Sequence, residues 1–217
     1  MKAPIKLPGA AAEQEAPLVA VVDDDASLRD ALDSLFRSVG WRVAAFGSAA
    51  ALLQSGVAEE AACLVLDVRL PGLSGLDFQA QLAQSKLSVP IIFMTGHGDI
   101  PMSVQAMKAG AIDFLPKPFR DQSMLDSVST AIQRDAQRRD SERTATGLQA
   151  LFETLSPRER QIMTMVTKGL LNKQIAGEIG LSEITVKIHR GNVMRKMQAR
   201  TFAELVRMAE SLGLHQS

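Results

Sequence analysis

The sequence predicts a doubly wound α/β domain on a five-stranded parallel sheet, followed by a small all-α domain that contains a helix-turn-helix. Three observations carry this reading. In the front part of the chain five short apolar runs alternate with segments of helical periodicity, the pattern of a parallel sheet covered on both faces. Asp23, Asp24, Asp67, Thr95 and Lys117 each follow such a run, on four different strands. Further along, two short helical segments meet at Gly180-Leu181-Ser182, the length and composition of a helix-turn-helix turn.

Leu18-Val19-Ala20-Val21-Val22 reads as a buried parallel strand that ends in Asp23-Asp24-Asp25, with Asp25 placed to cap the helix carrying Leu28, Leu32, Leu35 and Phe36. Gly40 is placed to stop that helix. Trp41 to Phe46 is the second strand, and Ser48 can cap a helix holding Leu52 and Leu53. Cys63-Leu64-Val65-Leu66 runs into Asp67, and Leu70-Pro71-Gly72 turns the chain away, so Asp67 closes the third strand at the edge where open α/β sheets hold their ligands. A helix from about Ser74 to Lys86, a strand from Val89 to Thr95, a fourth helix through Val104 and Met107, and a strand from Ala111 to Leu115 before Pro116-Lys117-Pro118 complete the domain.

From Asp121 apolar residues recur at helical spacing and then give way to a charged stretch, a helical connector that is either one long helix or two separated near Gly147, without a sustained heptad seam. Leu155-Ser156-Pro157-Arg158-Glu159 opens the back part with a cap, a proline and an acidic first turn. A short helix holding Ile175, Ala176 and Ile179 precedes the turn, and a helix from Ile184 to Met197 follows it, its apolar face expected from Ile184, Val186, Val193 and Met197. The expected divisions are a disordered tail over residues 1–16, the α/β domain over 17–125, a helical linker over 126–150 and the helical domain over 151–217.

At 217 residues and 46% apolar composition, two domains can each bury a core, and no apolar run reaches spanning length, which argues against a membrane protein. The single Cys63 forms no disulfide within the chain, and the first residues lack the apolar core of a secretory signal, so a cytoplasmic protein is expected. From Leu155 onward ten Lys and Arg stand against five Asp and Glu, while the rest of the chain is acidic by the same margin. Cation chemistry in front and a polyanion partner behind follow from that asymmetry.

Parallel strands bring Asp23, Asp24, Asp67, Thr95 and Lys117 to one edge. Three carboxylates gathered there repel one another unless a cation joins them, and oxygen-only ligands suit a hard divalent ion such as Mg²⁺. A carboxylate oxygen in such a site can attack a phosphoryl group while the ion and Lys117 neutralise its oxygens, leaving an acyl phosphate on Asp67.

These residues and spacings resemble the flavodoxin-like receiver domain of two-component response regulators, over roughly Leu18 to Leu125. The resemblance implies that Asp67 is the phosphoacceptor, that Asp23, Asp24, Asp67 and the carbonyl of Arg69 hold Mg²⁺, that Thr95 and Phe114 are switch residues and that Lys117 binds phosphate. Lys117-Pro118 matches a peptide bond often cis in that family. Leu155 to Arg160, Asn172 to Ala176 and Thr185 to Arg190 resemble the LuxR-type DNA-binding domain, and the whole chain, with Met94-Thr95-Gly96-His97-Gly98-Asp99-Ile100-Pro101-Met102, resembles FixJ-like response regulators. Lys173, Thr185 and Lys196 are then expected at phosphates, and Lys187, Ile188 and Arg190 in the groove, with Asn192 on the same polar surface. Gly191 stands where relatives carry a longer side chain.

The expected partners are a sensor histidine kinase, double-stranded promoter DNA, RNA polymerase and, on phosphorylation, a second copy paired through the fourth helix and fifth strand. The chain is expected to accept a phosphoryl group and to autodephosphorylate without being an enzyme. Two other readings fit parts of the sequence: an aspartyl-phosphate phosphatase, disfavoured because Arg69 stands where a second acid is needed, and an adaptor whose back half binds protein instead of DNA.

Overall fold

A computed structural model describes residues 15–70, 72–85, 87–96 and 100–214. The expected tail up to residue 14, Pro71 of the turn after Asp67 and residues 97–99 of the FixJ-like stretch lie outside them. Five parallel strands, β1 (Leu18–Val22), β2 (Arg42–Phe46), β3 (Cys63–Asp67), β4 (Ile91–Thr95) and β5 (Asp113–Pro116), form one sheet in the order β2-β1-β3-β4-β5. The two-residue period of a strand divides its apolar side chains between two cores. Ala20, Val22, Leu64, Leu66 and Phe93 face one, with Leu52 and Phe78; Val19, Val21, Val65, Ile92 and Met94 face the other, with Leu32, Phe36 and Val128. Burial on both faces explains why these strands read as unbroken apolar runs.

The helices are α1 (Ala26–Ser38), α2 (Ala49–Ser55), α3 (Val57–Glu60), α4 (Gly75–Gln84), α5 (Ile100–Lys108) and α6 (Asp121–Glu153). Asp25, Ser48 and Ser74 cap α1, α2 and α4 with their side chains, so three helix starts lie where short polar residues foretell them. Three boundaries move, for backbone reasons. Trp41 donates its amide to Phe36 and belongs to the end of α1, so β2 starts one residue later than expected. Ala111 donates to Ala106 and closes α5, which delays β5 to Asp113. Proline has no amide to add to a ladder, so Pro90 contributes only its carbonyl, to the Leu64 amide, and β4 begins at Ile91. The single turn α3, held between Gly56 in the left-handed region and Ala61, is too short to show a periodicity, and it makes the expected fourth helix α5.

α6 is one helix of 33 residues, with Gly147 inside it, and the division between the two compact units falls between Gln137 and Arg138. Met124, Val128 and Ala131 are buried in the first unit, so its core reaches beyond the boundary expected at residue 125. Leu148, Leu151 and Phe152 pack against the core of the second. Glu15, at the end of the expected tail, pairs with Arg42 at 2.9 Å. Burial pushes the Cys63 thiol up, and the charge of Asp135 adds to it. Among the described residues no helix is long and apolar enough to cross a membrane.

The second unit holds α7 (Pro157–Thr167), α8 (Asn172–Ile179), α9 (Glu183–Lys196) and α10 (Phe202–Ser211) around Leu155, Ile162, Met163, Ile175, Val186 and Val193. α10 was not anticipated, although Thr201 and Glu204 carry capping-box spacing and form that box. Ile184 is not on the apolar face of α9: nine residues, or two and a half helical turns, separate it from Val193, and its side chain is exposed. Glu159 completes a capping box with Ser156 and meets Lys196 Nζ at 2.6 Å, which in turn donates to the Thr154 carbonyl at 3.1 Å. Burial pushes the Glu159 carboxyl up, but hydrogen bonds from Lys196 and Ser156 outweigh it and hold the group below the ordinary glutamate value. A depressed carboxyl stabilises the fold above its unfolded pKa, about 4.3, and loses that contribution as pH falls through the folded value. The Tm of the full chain is therefore expected to exceed that of Glu159→Gln at about pH 6, with the gap closing below about pH 4. A gap independent of pH would show that the Lys196 pair adds nothing.

Candidate functional site

The carboxyl ends of β1, β3, β4 and β5 converge at one edge of the sheet. Carboxylate oxygens of Asp23, Asp24 and Asp67 all lie within 4.8 Å of one another; Asp23 and Asp67 are buried and Asp24 is exposed. Lys117 Nζ donates to Asp23 Oδ2 at 2.6 Å and to Asp67 Oδ2 at 2.9 Å. Burial pulls the ammonium down, but its bonds to Asp23 and Asp67 and their charges more than offset this and hold its pKa above the ordinary lysine value. The other oxygens are held by backbone: the Asp25 amide donates to Asp23 Oδ1 at 2.9 Å and the Arg69 amide to Asp67 Oδ1 at 3.1 Å.

The scaffold around this edge is tight. The Asp23 amide donates to the Phe46 carbonyl, the Val68 amide to Met94, and the Lys117 amide to Thr95 at 2.6 Å, tying each strand end to its neighbour. Lys117-Pro118 is cis, as the resemblance implied. Gly75 opens α4 directly against β3: its amide donates to the Val68 carbonyl, and a Cβ there would stand 2.7 Å from the Asp67 carbonyl oxygen. Arg29, which the sequence did not single out, donates Nη1 to the Asp23 carbonyl at 2.6 Å; its place one turn into the helix capped by Asp25 was the available signal.

Thr95 is buried at the end of β4, one residue past Met94, the register partner of Asp67. Phe114 is half-buried on β5, its ring 6.3 Å from that of Phe93. The carbonyl of Arg69, expected as a further ligand, belongs to the turn two residues beyond Asp67. An all-oxygen set of three carboxylates at this spacing fits a hard divalent cation and offers nothing to a soft one.

In the second unit Gly180, at φ +67°, ends α8 and the Ser182 side chain caps α9, so two short helices meet in the helix-turn-helix arrangement. Lys173, Lys187 and Ile188 are exposed, while Thr185 and Asn192 are half-buried. Two expected contacts are engaged within the domain. Arg190 donates to Asn172 Oδ1 at 2.6 Å and lies 5.7 Å above the Phe202 ring, and Lys196 is held by Glu159. Their partners lie far away in sequence, so surface periodicity alone counted both as exposed. Arg195 was missed; it is exposed, eleven residues after Ile184 on the same helical face, and bonds Asn192 at 3.1 Å.

A doubly wound sheet with this acidic edge, joined to a helix-turn-helix unit, defines a receiver coupled to a DNA-binding module. Residues 19–129 match the response regulator receiver domain and residues 153–209 the luxR family of bacterial regulatory proteins. The chain belongs to the response regulators, in their FixJ-like group with a LuxR-type domain. It is 61% identical over 197 residues to nodulation protein W of Bradyrhizobium diazoefficiens, covering 91% of this chain and 87% of that protein. The transcriptional regulatory protein FixJ of the same organism is 43% identical, over 89% of this chain and 95% of that one. Among solved structures, the response regulator StyR matches with a TM-score of 0.83 at 49% identity, over 90% of this chain and 98% of that one.

Proposed function

We propose that this protein is a transcriptional response regulator in which Asp67 accepts a phosphoryl group from a sensor histidine kinase and thereby governs binding to promoter DNA. The observation that carries the proposal is the convergence of Asp23, Asp24, Asp67 and Lys117 on one edge of the sheet. An Asp67 carboxylate oxygen attacks phosphorus in line; the new O–P bond forms as the N–P bond to the kinase histidine breaks, and the electron pair returns to the imidazole. Lys117 neutralises charge on the transferring oxygens, and the Arg69 amide orients the attacking carboxylate. Asp23, Asp24, Asp67 and the Arg69 carbonyl would hold Mg²⁺, which would supply further charge neutralisation. Thr95 then turns toward the new phosphoryl group and Phe114 follows it, a shift in an element poised between two arrangements.

Val104 and Met107, both half-exposed on α5 beside β5, fit the face through which two phosphorylated copies pair, presenting two helix-turn-helix units to two half-sites and to RNA polymerase. The protein acts in the cytoplasm and is not an enzyme: Arg69 stands where phosphomonoester turnover needs a second acid, and the acyl phosphate is lost slowly to water. The test is incubation of the purified chain with Mg²⁺ and acetyl phosphate. One phosphoryl group labile to hydroxylamine is expected, and an unmodified protein would refute the reading.

For the second unit, log affinity for duplex DNA is expected to fall linearly with log salt concentration. Lys173→Ala reduces that slope by about one and weakens all sequences alike, whereas Lys187→Ala relaxes sequence preference. Filter binding between about 50 and 200 mM salt measures both. A flat response would favour a protein-binding adaptor.

A further inference from the structure

We infer that Ile184 and Ile188 read thymine: together they form an apolar strip on the exposed face of α9 that receives the 5-methyl groups of thymines in the major groove. The inference rests on the DNA-binding reading above and extends it to the bases recognised. Ile184 is 74% exposed and Ile188 60%, among the largest exposures of any large apolar side chain in the described residues. Four residues apart, they lie one above the other on a single helical face. Gly191 continues that face, and a Cβ placed there would meet nothing within 4 Å, so the strip is not crowded on that side. Neither isoleucine belongs to the core of its unit, which Val186 and Val193 fill from the opposite side of the same helix.

Charge selects the occupant. Exposed Lys187 borders the strip, exposed Arg195 continues its face about two turns beyond Ile188, and Lys173 is exposed on the preceding helix. A strip two side chains wide within a cationic surface suits a polyanion with small apolar features recessed between its charges, not a broad apolar protein face. At the major-groove base edges of a duplex, the thymine methyl is that apolar feature, and aliphatic side chains are its fitting contacts. The alternative occupant, the same strip of a second copy, would leave these cations facing like charges.

The experiment uses the full chain. Duplexes that it binds are first selected from a randomised pool, and each thymine of a selected duplex is then replaced, singly, by uracil, which lacks only the methyl. Affinity is expected to fall about fourfold at each position read, the effect of burying one methyl-sized group. Ile184→Ala and Ile188→Ala should each erase the thymine–uracil difference at one position without changing the salt slope. Because both side chains are exposed, unchanged circular dichroism and Tm are expected for each variant. Equal affinity for thymine and uracil at every position overturns the inference and leaves DNA binding standing. Altered sedimentation of the DNA-free variants with the base preference intact assigns the strip to self-association and also overturns it. If no duplex is enriched with salt-dependent affinity, the DNA-binding reading fails and this inference fails with it.

Discussion

Asp67→Asn is expected to abolish acyl-phosphate formation outright, with no hydroxylamine-labile label under conditions that modify the wild-type chain fully. The carboxamide is nearly the same size and keeps an oxygen to accept the Arg69 amide; Lys117 loses its Asp67 acceptor but keeps the one on Asp23, so the fold is expected to survive. It lacks the anionic oxygen that attacks phosphorus and the charge that helps hold a divalent cation. Removing one of three clustered carboxylates relieves repulsion between Asp23, Asp24 and Asp67 but also removes the Lys117–Asp67 ion pair, and with these two effects opposed the variant's Tm should stay close to that of the wild type. Residual labelling at the wild-type rate would move the phosphoacceptor to another residue, and a large fall in Tm would mean that the loss reports unfolding. Phosphorylation-dependent pairing of two copies, followed by analytical ultracentrifugation, should vanish in the same variant.

Gly75→Ala is the second large effect, and it acts through packing. The added Cβ would stand 2.7 Å from the Asp67 carbonyl oxygen and 3.0 Å from both Val68 Cα and Phe93 Cε1. Two of these are backbone atoms and the third belongs to a fully buried ring, so none can swing aside. α4 must retreat from the strand that carries Asp67, at a cost of about 1–3 kcal/mol. Urea unfolding of the full chain should show a lower midpoint, and acetyl phosphate should label the folded fraction more slowly because Asp67 is displaced. Gly147→Ala is the control: nothing lies within 4 Å of its added Cβ, so inside α6 it should raise stability by about 1 kcal/mol. An unchanged midpoint for Gly75→Ala would mean that the close approach yields without cost.

β3 is the element most legible in the sequence, with Cys63 and Asp67 at its ends as the apolar run foretold. Continuous burial leaves an unbroken apolar run, and the first charged residue marks the sheet edge. For the same reason the sequence alone places Asp23, Asp67, Thr95 and Lys117 at one edge. Short polar caps made Asp25, Ser48 and Ser156 equally readable. What escaped the sequence depends on phase or on distant partners. Ile184 was grouped with Val186 by composition, although helical phase separates them. Lys196 looks like any lysine on a basic helix until folding brings it against Glu159, 37 residues away. Arg29 acts through a backbone carbonyl, which leaves no mark in residue identity.

The double engagement of Lys117 also bears on the kind of ion the acidic edge would take. Three carboxylates and one ammonium leave a deficit of two elementary charges, which a single alkaline-earth ion cancels by valence alone. Sodium or potassium would leave half of that deficit standing, and a trivalent ion would overshoot it. By this count of charge the lysine would favour a divalent ion before any phosphorus arrives.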